Sequence, residues 1–447
     1  MIKDKFNSKF RTYVREKVSP TNCYDKKCGK CDKCFVTAIY DSFKTVLNQN
    51  CIQIGSYPRF TAIRPLHDLD ILYILGDWEE QNHNPQMLLE ELLKEIKSNY
   101  VNPTEYKTEI SLQTHSVTVV FKDNNDEEIF SVDIVPAYIF STNEFQQDTY
   151  KVPEVLRQKH GGKRQEFYKK LSEEHKEMNW IHTDPRGYIK VAKQVNQSND
   201  DFRKTVKFIK AWKNSCKEKY DDFKLKSFHI EQVITKYFQN KNDLEIFDSI
   251  FKFFVDIPEI IQSPKIKDRA NTEKYIDEYL NNLTEDQKNK IIQARDCFLR
   301  KLENFSKDDL VENLIEACFY KRVSSSEQFL FDFKIPVLID VQYDFKIDGF
   351  IQKKEGFRDG WISKILWKIE FKRNIKFEIV SDKPKVDLFK WKVKNDNSSM
   401  SPRGEITDNQ TKNNPESTEF KGNHYVECYA ILNNVCVIKA KQNVKLN

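Results

Sequence analysis

Two aspartates one residue apart, Asp68 and Asp70, open an apolar run that continues through Ile71, Leu72, Ile74 and Leu75. At strand spacing both carboxylates face the same side. Carboxylates this close repel each other unless cations lie between them. Hard divalent ions such as Mg2+ take oxygen ligands and leave room for substrate phosphates. Just upstream, Gly55 would let the backbone approach a phosphate closely, and Ser56 adds a hydroxyl donor. A third acid, Asp133, lies between Val132 and Ile134. An Asp inside an apolar strand needs a partner, and a metal shared with Asp68 and Asp70 would supply one. The set predicts two ions, Mg2+ with Mn2+ as the alternative, arranged for in-line phosphoryl or nucleotidyl transfer. One ion would lower the pKa of an attacking ribose hydroxyl, and the other would hold the triphosphate and its leaving pyrophosphate. The plainer reading is a solvated Asp pair and a strand-edge acid. The Gly-Ser turn beside them favours the metal site.

A second cluster of ligand-type residues is Cys23, Cys28, Cys31 and Cys34, spaced C-x4-C-x2-C-x2-C. Four thiolates could hold a structural Zn2+, and free thiols or a redox switch or cluster are the alternatives. Lys26, Lys27, Lys30 and Lys33 would offset thiolate charge. The other six of the ten cysteines are scattered and read as core packing. The chain starts without an apolar signal segment, and no apolar run approaches the ~20 residues of a membrane span. The expectation is therefore a cytoplasmic protein whose cysteines are thiols or metal ligands, not disulfides.

The acids need strands to hold them. Residues 51–140 alternate accordingly: Leu69 to Leu75, Ser116 to Phe121 and Ile129 to Val135 read as strands, the last two as a hairpin around Lys122–Glu127. Met87 to Ile96 reads as an amphipathic helix. Residues 150–330 are helical in pattern, with Phe202, Val206, Ile209 and Trp212 on one face. Thr284 to Phe305 and Leu310 to Tyr320 look helical too. From Val337 to Ile347 the period becomes two, which predicts a half-buried strand. Val386 to Val393, Tyr425 to Leu432 and Val435 to Ala440 continue the β character, with Asn433-Asn434 suited to a tight hairpin. Residues 395–421 read as a long mobile loop. The fold class expected is α+β: a core with a mixed sheet, a helical second lobe and a C-terminal β-sandwich. The boundaries expected are 1–180, 181–334 and 335–447.

Length and composition agree with several domains: 447 residues, 39% hydrophobic, with 32 phenylalanines, exclude global disorder. The net charge of +5 hides an uneven distribution. Residues 151–220 hold 18 Lys and Arg against nine Asp and Glu, whereas Asp68, Asp70, Asp77, Glu79 and Glu80 cluster in the acid-bearing segment. A basic wall facing an acidic centre suits a triphosphate, although a solvated helix face would give the same count.

The residues Gly55-Ser56, Asp68-x-Asp70 and Asp133 resemble the polymerase-β-like nucleotidyltransferase signature. Gly-Ser-Tyr-x-Arg-x-Thr-Ala-Ile at 55–63 and Val-Asp-Ile-Val-Pro-Ala at 132–137 resemble its oligoadenylate-synthase and cGAS/DncV-like branch, the CD-NTases. Trp180 to Pro185, Arg203 to Trp212 and Lys226-Ser-Phe-His-Ile-Glu231 resemble that branch's downstream elements. By that match Lys210 and Ser227 would contact the donor nucleotide; a solvated helix lysine and a helix N-cap are the plain alternatives. The tail carries a second resemblance. Trp391 to Asn395, Arg403-Gly-Glu405, Glu416 to Thr418 and Gly422 to Cys428 resemble the adenylyl/guanylyl cyclase and SMODS C-terminal sensor module.

The resemblance implies an enzyme that joins nucleoside triphosphates into a cyclic di- or trinucleotide and releases pyrophosphate, in bacterial anti-phage (CBASS) signalling. Asp68, Asp70 and Asp133 would hold the metals, and Gly55 and Ser56 would cradle the donor. The product would act on a separate effector. No membrane or nucleic acid would be required, and a monomer is expected. The alternatives are a template-independent enzyme that extends an RNA end, and a non-catalytic nucleotide or RNA sensor.

Overall fold

The computed structural model describes residues 2–21, 31–79, 84–156, 178–306, 308–339, 342–356, 358–365, 369–408 and 415–446. The chain is α+β, as expected. Helix α1, Ile2–Tyr13, runs into a π turn, Val14–Val18, and α2 spans Asp32–Val46. A mixed sheet follows: β1 Cys51–Ile54, β2 Asp68–Asp77, β3 Lys107–Leu112, β4 Val117–Lys122, β5 Glu128–Thr142, β6 Asp148–Val155 and β7 Met178–Thr183. Its order is β1-β2-β5-β4-β3, with β6 on β5 and β7 on β6. Strands β2 and β5 are parallel, and the other pairs in this sheet are antiparallel.

The period of two decides which side chains face where. Leu69, Ile71, Val132 and Ile134 point to one face and pack with Val36, Ile39 and Phe43 of α2. Leu92 and Ile96 of α3, Pro85–Asn99, join the same cluster. Helix α3 starts where the Asn84 side chain accepts from Gln86 N and Met87 N, with Pro85 first in the helix. The intervening Asp68, Asp70 and Asp133 therefore fall on the opposite face, where this cluster does not cover them.

The helical half comprises α4 Pro185–Ser198, α5 Asp201–Lys219, α6 Ser227–Asn240, α7 Ile246–Ile260, α8 Glu285–Glu303 and the short α9 Val311–Ile315. Trp212 of α5 packs against Phe223, Phe254 and Phe298, and Phe254 stacks on Phe298 at 3.7 Å between ring centroids. Phe6, Phe10, Val14 and Val18 bury their apolar faces in this helical cluster and not on the sheet. The expected helix Leu310 to Tyr320 stops at Ile315. Beyond it Ala317 N is held by Ser215 Oγ at 2.9 Å, and Cys318 forms a disulfide with Cys297 of α8. That disulfide corrects the expectation of thiols alone: the two cysteines lie 21 residues apart, and only the tertiary fold brings them together.

The tail is a sandwich of two antiparallel sheets. One joins β8 Ile347–Ile351, β9 Gly360–Trp361, β10 Asn374–Ile379 and β13 Glu416–Ser417. The other joins β11 Leu388–Lys394, β12 Ile406–Thr407, β14 Gly422–Leu432 and β15 Val435–Leu446. The β14–β15 turn is Asn433-Asn434 at φ 50° and 59°, as their residue type led us to expect. Two readings are corrected. Of the predicted strand Val337 to Ile347, Asp340 and Val341 lie outside the described residues; among the rest, Ile347 alone enters a ladder, and Val337 makes an isolated bridge to Cys436. Consecutive Val337 and Leu338 are both buried, in different clusters, so this segment straddles two cores instead of alternating across one sheet. The segment 395–421, expected as a loop, contributes β12 and β13 where described. It also contributes buried Thr418, whose hydroxyl accepts from Arg373 N at 2.9 Å.

The sandwich is fastened to the helical half by buried polar contacts. Lys394 pairs with Glu327 at 3.1 Å, and Lys392 Nζ donates to Gln328 O at 2.6 Å. Beside them, Glu303 Oε1 is buried with no hydrogen-bond partner among the described residues. Burial pushes the Glu303 carboxyl up to about 7 despite Lys392 and Lys439, and Glu427 adds to the rise. A carboxyl that is more basic folded than unfolded gives stability below its ordinary value, and this is lost as pH rises through about 7. Glu303→Gln should therefore melt above wild type near pH 8, by on the order of 2 kcal/mol, with the gap closing toward pH 5. Parallel thermal melts at the two pH values check this.

Candidate active site

Strands β2 and β5 carry the acids, and their register sets the geometry. Asp70 pairs directly with Asp133 across the parallel ladder, and Asp68 with Ser131. Three carboxylates are thus within two residues of one another on adjacent strands. Asp68 is exposed, and Asp70 and Asp133 are half-buried. Burial and the charges of Asp68 and Asp133 push the Asp70 carboxyl up to about 7, against a smaller opposing pull from Arg59. The Asp133 carboxylate accepts from Ser116 Oγ at 3.2 Å and from Thr118 Oγ1.

Gly55 ends the antiparallel partner of β2, and its φ of +75° is one that few side chains adopt. A Cβ there would stand 1.8 Å from Asp70 Oδ2, so the turn lies directly against that carboxylate. Ser56 follows, its carbonyl accepting from Thr61 N at 3.0 Å, which closes the turn over residues 56–61.

As the side chains stand, no three or more His, Cys, Asp or Glu groups among the described residues converge as a metal site. The donor set nonetheless fits a hard divalent cation by type and register. The crowding of the carboxylates drives Asp70 toward its protonated form; a cation among them would relieve that repulsion, and oxygen donors are what Mg2+ takes.

Opposite the acids stands α5. Lys210, expected to contact the donor nucleotide's phosphates or base, is 5% exposed and donates to Glu231 Oε2 at 3.0 Å and to Thr61 O at 3.1 Å. One helical turn on, Lys213 Nζ donates to Ser227 Oγ at 3.3 Å. No carboxylate pairs with Lys213 among the described residues, and burial with Lys217 and Lys210 pulls its ammonium down to about 8. Lys207, on the same helix, is lowered to about 8 by burial and by Arg203, Lys210 and Lys204. The charge of Asp68 is felt at both Lys210 and Lys213, which places these two lysines within electrostatic reach of the acids. Sequence reasoning missed Lys213. The available signal was its spacing, three residues from Lys210 on one helix face. Ser227 is the first residue of α6, not its cap, which is Lys226.

Of the cysteine loop, Cys23 and Cys28 lie outside the described residues. Cys31 and Cys34 open α2 with their sulfurs 3.5 Å apart. A separate cavity of about 290 Å³ is lined by residues of both sheets of the tail, among them the apolar Phe377, Val426 and Leu446 and the polar Arg403, Glu416 and His424. It is remote in sequence from the acids and shares none of their residues. No helix among the described residues is long and apolar enough to cross a membrane.

Both resemblances read from the sequence are borne out by similar proteins. The family model of the Adenylyl/Guanylyl and SMODS C-terminal sensor domain matches residues 324–447. A probable cyclic nucleotide synthase of Bacillus cereus (strain VD146) is 25% identical over 223 residues, which is 44% of this chain and 58% of that relative. Among solved structures, Escherichia coli MS115-1 CdnC with ATP is 18% identical at a TM-score of 0.46, covering 67% of this chain and 93% of that one. Vibrio cholerae DncV, a cyclic AMP-GMP synthase, is 15% identical at a TM-score of 0.40, covering 72% and 87%.

Proposed function

We propose that this chain is a Mg2+-dependent nucleotidyltransferase. It joins nucleoside triphosphates into a cyclic di- or trinucleotide, releases pyrophosphate and so signals to a separate effector in bacterial anti-phage (CBASS) defence. The observation that carries the reading is the Asp70–Asp133 register, with Asp68 beside it, against the Gly55 turn and in front of a cationic helix. The similarity to a probable cyclic nucleotide synthase supports it. Asp68, Asp70 and Asp133 would hold two Mg2+, or Mn2+, which when bound supply Lewis-acid stabilisation of the triphosphate and a more acidic acceptor hydroxyl.

The chain's own residues do the rest. The Gly55–Ser56 turn offers backbone and hydroxyl donors to the donor triphosphate. Lys213 and Ser227 meet it from α5 and α6. Asp133, oriented by Ser116 and Thr118, is the group to take the acceptor's proton. Lys210 acts one step back, through Glu231. The proposal keeps the division 1–180, 181–334 and 335–447, with Phe6 to Val18 packed into the helical part, and a cytoplasmic monomer.

Incubation with radiolabelled nucleoside triphosphates and Mg2+, without RNA, tests the reading. A phosphatase-resistant product is expected. Label incorporated only when an RNA end is supplied would favour the RNA-extending alternative, and nucleotide binding without turnover would favour a sensor.

A further inference from the structure

Resting on that reading, we infer that Glu231 is a positioning residue: it locks the Gly55–Ser56 turn to helices α5 and α6, and binding of the donor triphosphate depends on this lock. Glu231 is fully buried. One carboxylate oxygen accepts from Arg59 Nε at 2.5 Å. The other accepts from Thr61 Oγ1 at 2.7 Å and from Lys210 Nζ at 3.0 Å. Lys210 also donates to the Thr61 carbonyl, and Arg59 stacks over the Phe228 ring at 5.2 Å. Arg59 and Thr61 belong to the turn, Lys210 to α5, and Glu231 with Phe228 to α6. A single carboxylate therefore ties together three segments that are far apart in the sequence.

The ties reach the proposed phosphate groups at both ends. Thr61 N donates to the Ser56 carbonyl, so the locked residue closes the turn that carries Ser56. On α6, Ser227 and Glu231 are four residues apart and share a helix face, and Ser227 meets Lys213. Holding Glu231 thus fixes the separation between the Ser56 turn and the Ser227–Lys213 pair. A buried ion pair is weak evidence for stability, because apolar residues of the same volume often serve as well. What it supplies here is orientation, since each partner has one hydrogen-bonded place. Lys210 is engaged in the lock, whereas Lys213, one turn on, has no carboxylate partner among the described residues and is open to a phosphate.

Steady-state kinetics on Glu231→Gln, Arg59→Lys and Thr61→Val tests this in the full chain, with circular-dichroism melts alongside. Each substitution keeps the side chain's approximate size and removes part of the lock. The KM for the triphosphate should rise roughly tenfold or more, with kcat changed by less than about threefold. A merely structural role reads differently: a smaller folded fraction lowers the apparent kcat and leaves KM alone. Where Glu231→Gln gives no cooperative melt, Thr61→Val and Arg59→Lys decide by the same criterion. KM within about twofold of wild type in the variants that fold overturns the lock. Failure of the functional reading shows separately, in wild type, as no product from any triphosphate. In that event calorimetry with ATP decides: the lock predicts weaker binding in the same variants, and either equal affinity or a wild type that binds no nucleotide overturns it.

Discussion

Replacing Asp68 and Asp70 together by alanine abolishes nucleotide product, a fall of about a thousandfold or more, while the cooperative melt is retained or raised. The two halves of this expectation have one cause. In the folded chain Asp70 is pushed up to about 7 because it is buried beside Asp68 and Asp133. Groups assembled against their own repulsion do not hold the fold together; the apolar face of the same strands does, through Leu69, Ile71, Val132 and Ile134. Removing two acids leaves that face untouched and relieves the crowding. Product analysis by thin-layer chromatography and a thermal melt on the same preparation check both halves. A double variant that still makes product, or one that no longer folds, contradicts this assignment of the acids.

The second large effect belongs to Lys213. Lys213→Ala should raise the KM for the triphosphate by about 10- to 100-fold with a smaller change in kcat, because a charge that meets phosphate in ground and transition state alike is lost. The residue also gives the wild type a pH signature. Its ammonium is drawn down to about 8 by burial and by Lys217 and Lys210. Below that pH it is charged and binds; above it the charge is lost and KM climbs. Lys213→Arg, which stays protonated throughout, should keep a low KM and lose the climb. An alanine variant with unchanged KM, or an arginine variant that still shows the climb, would remove Lys213 from the site.

Local patterns carried much of this architecture. The β4–β5 hairpin, α3 and the Asn433-Asn434 turn could be read from the sequence because their determinants lie within a few residues of one another. The acids were legible for the same reason, since Asp-x-Asp and a flanked Asp133 each announce which way they face. What escaped depends on partners distant in the chain. Lys210 reads as a phosphate ligand until Glu231 and Thr61, 21 and 149 residues away, are seen to surround it. Cys297 and Cys318 look like unrelated thiols until α8 and the segment after α9 meet. Val337 to Ile347 has a strand's alternation, yet among the described residues its pairing with β15 stops at the single bridge from Val337 to Cys436, and a period without a continuous partner makes no ladder.

The charge pattern gains a sharper meaning from the same contacts. Of the basic excess of residues 151–220, positions 157–177 lie outside the described residues, and the remainder is not one uniform wall. Within α5, Lys210 is neutralised inside the lock, whereas Lys207 and Lys213 sit lowered among like charges. Like charges held close are what a polyanion would relieve.

The central claim is that the three acids and the cationic helix carry out nucleotidyl transfer that closes a ring. Mass spectrometry of products formed from mixed nucleoside triphosphates with Mg2+, with pyrophosphate measured in parallel, tests it most directly. A cyclic di- or trinucleotide with no terminal phosphate is expected, with one pyrophosphate released per linkage and neither product from the Asp68→Ala, Asp70→Ala chain. Intact triphosphates with no pyrophosphate, or an equal yield from that double variant, would contradict it.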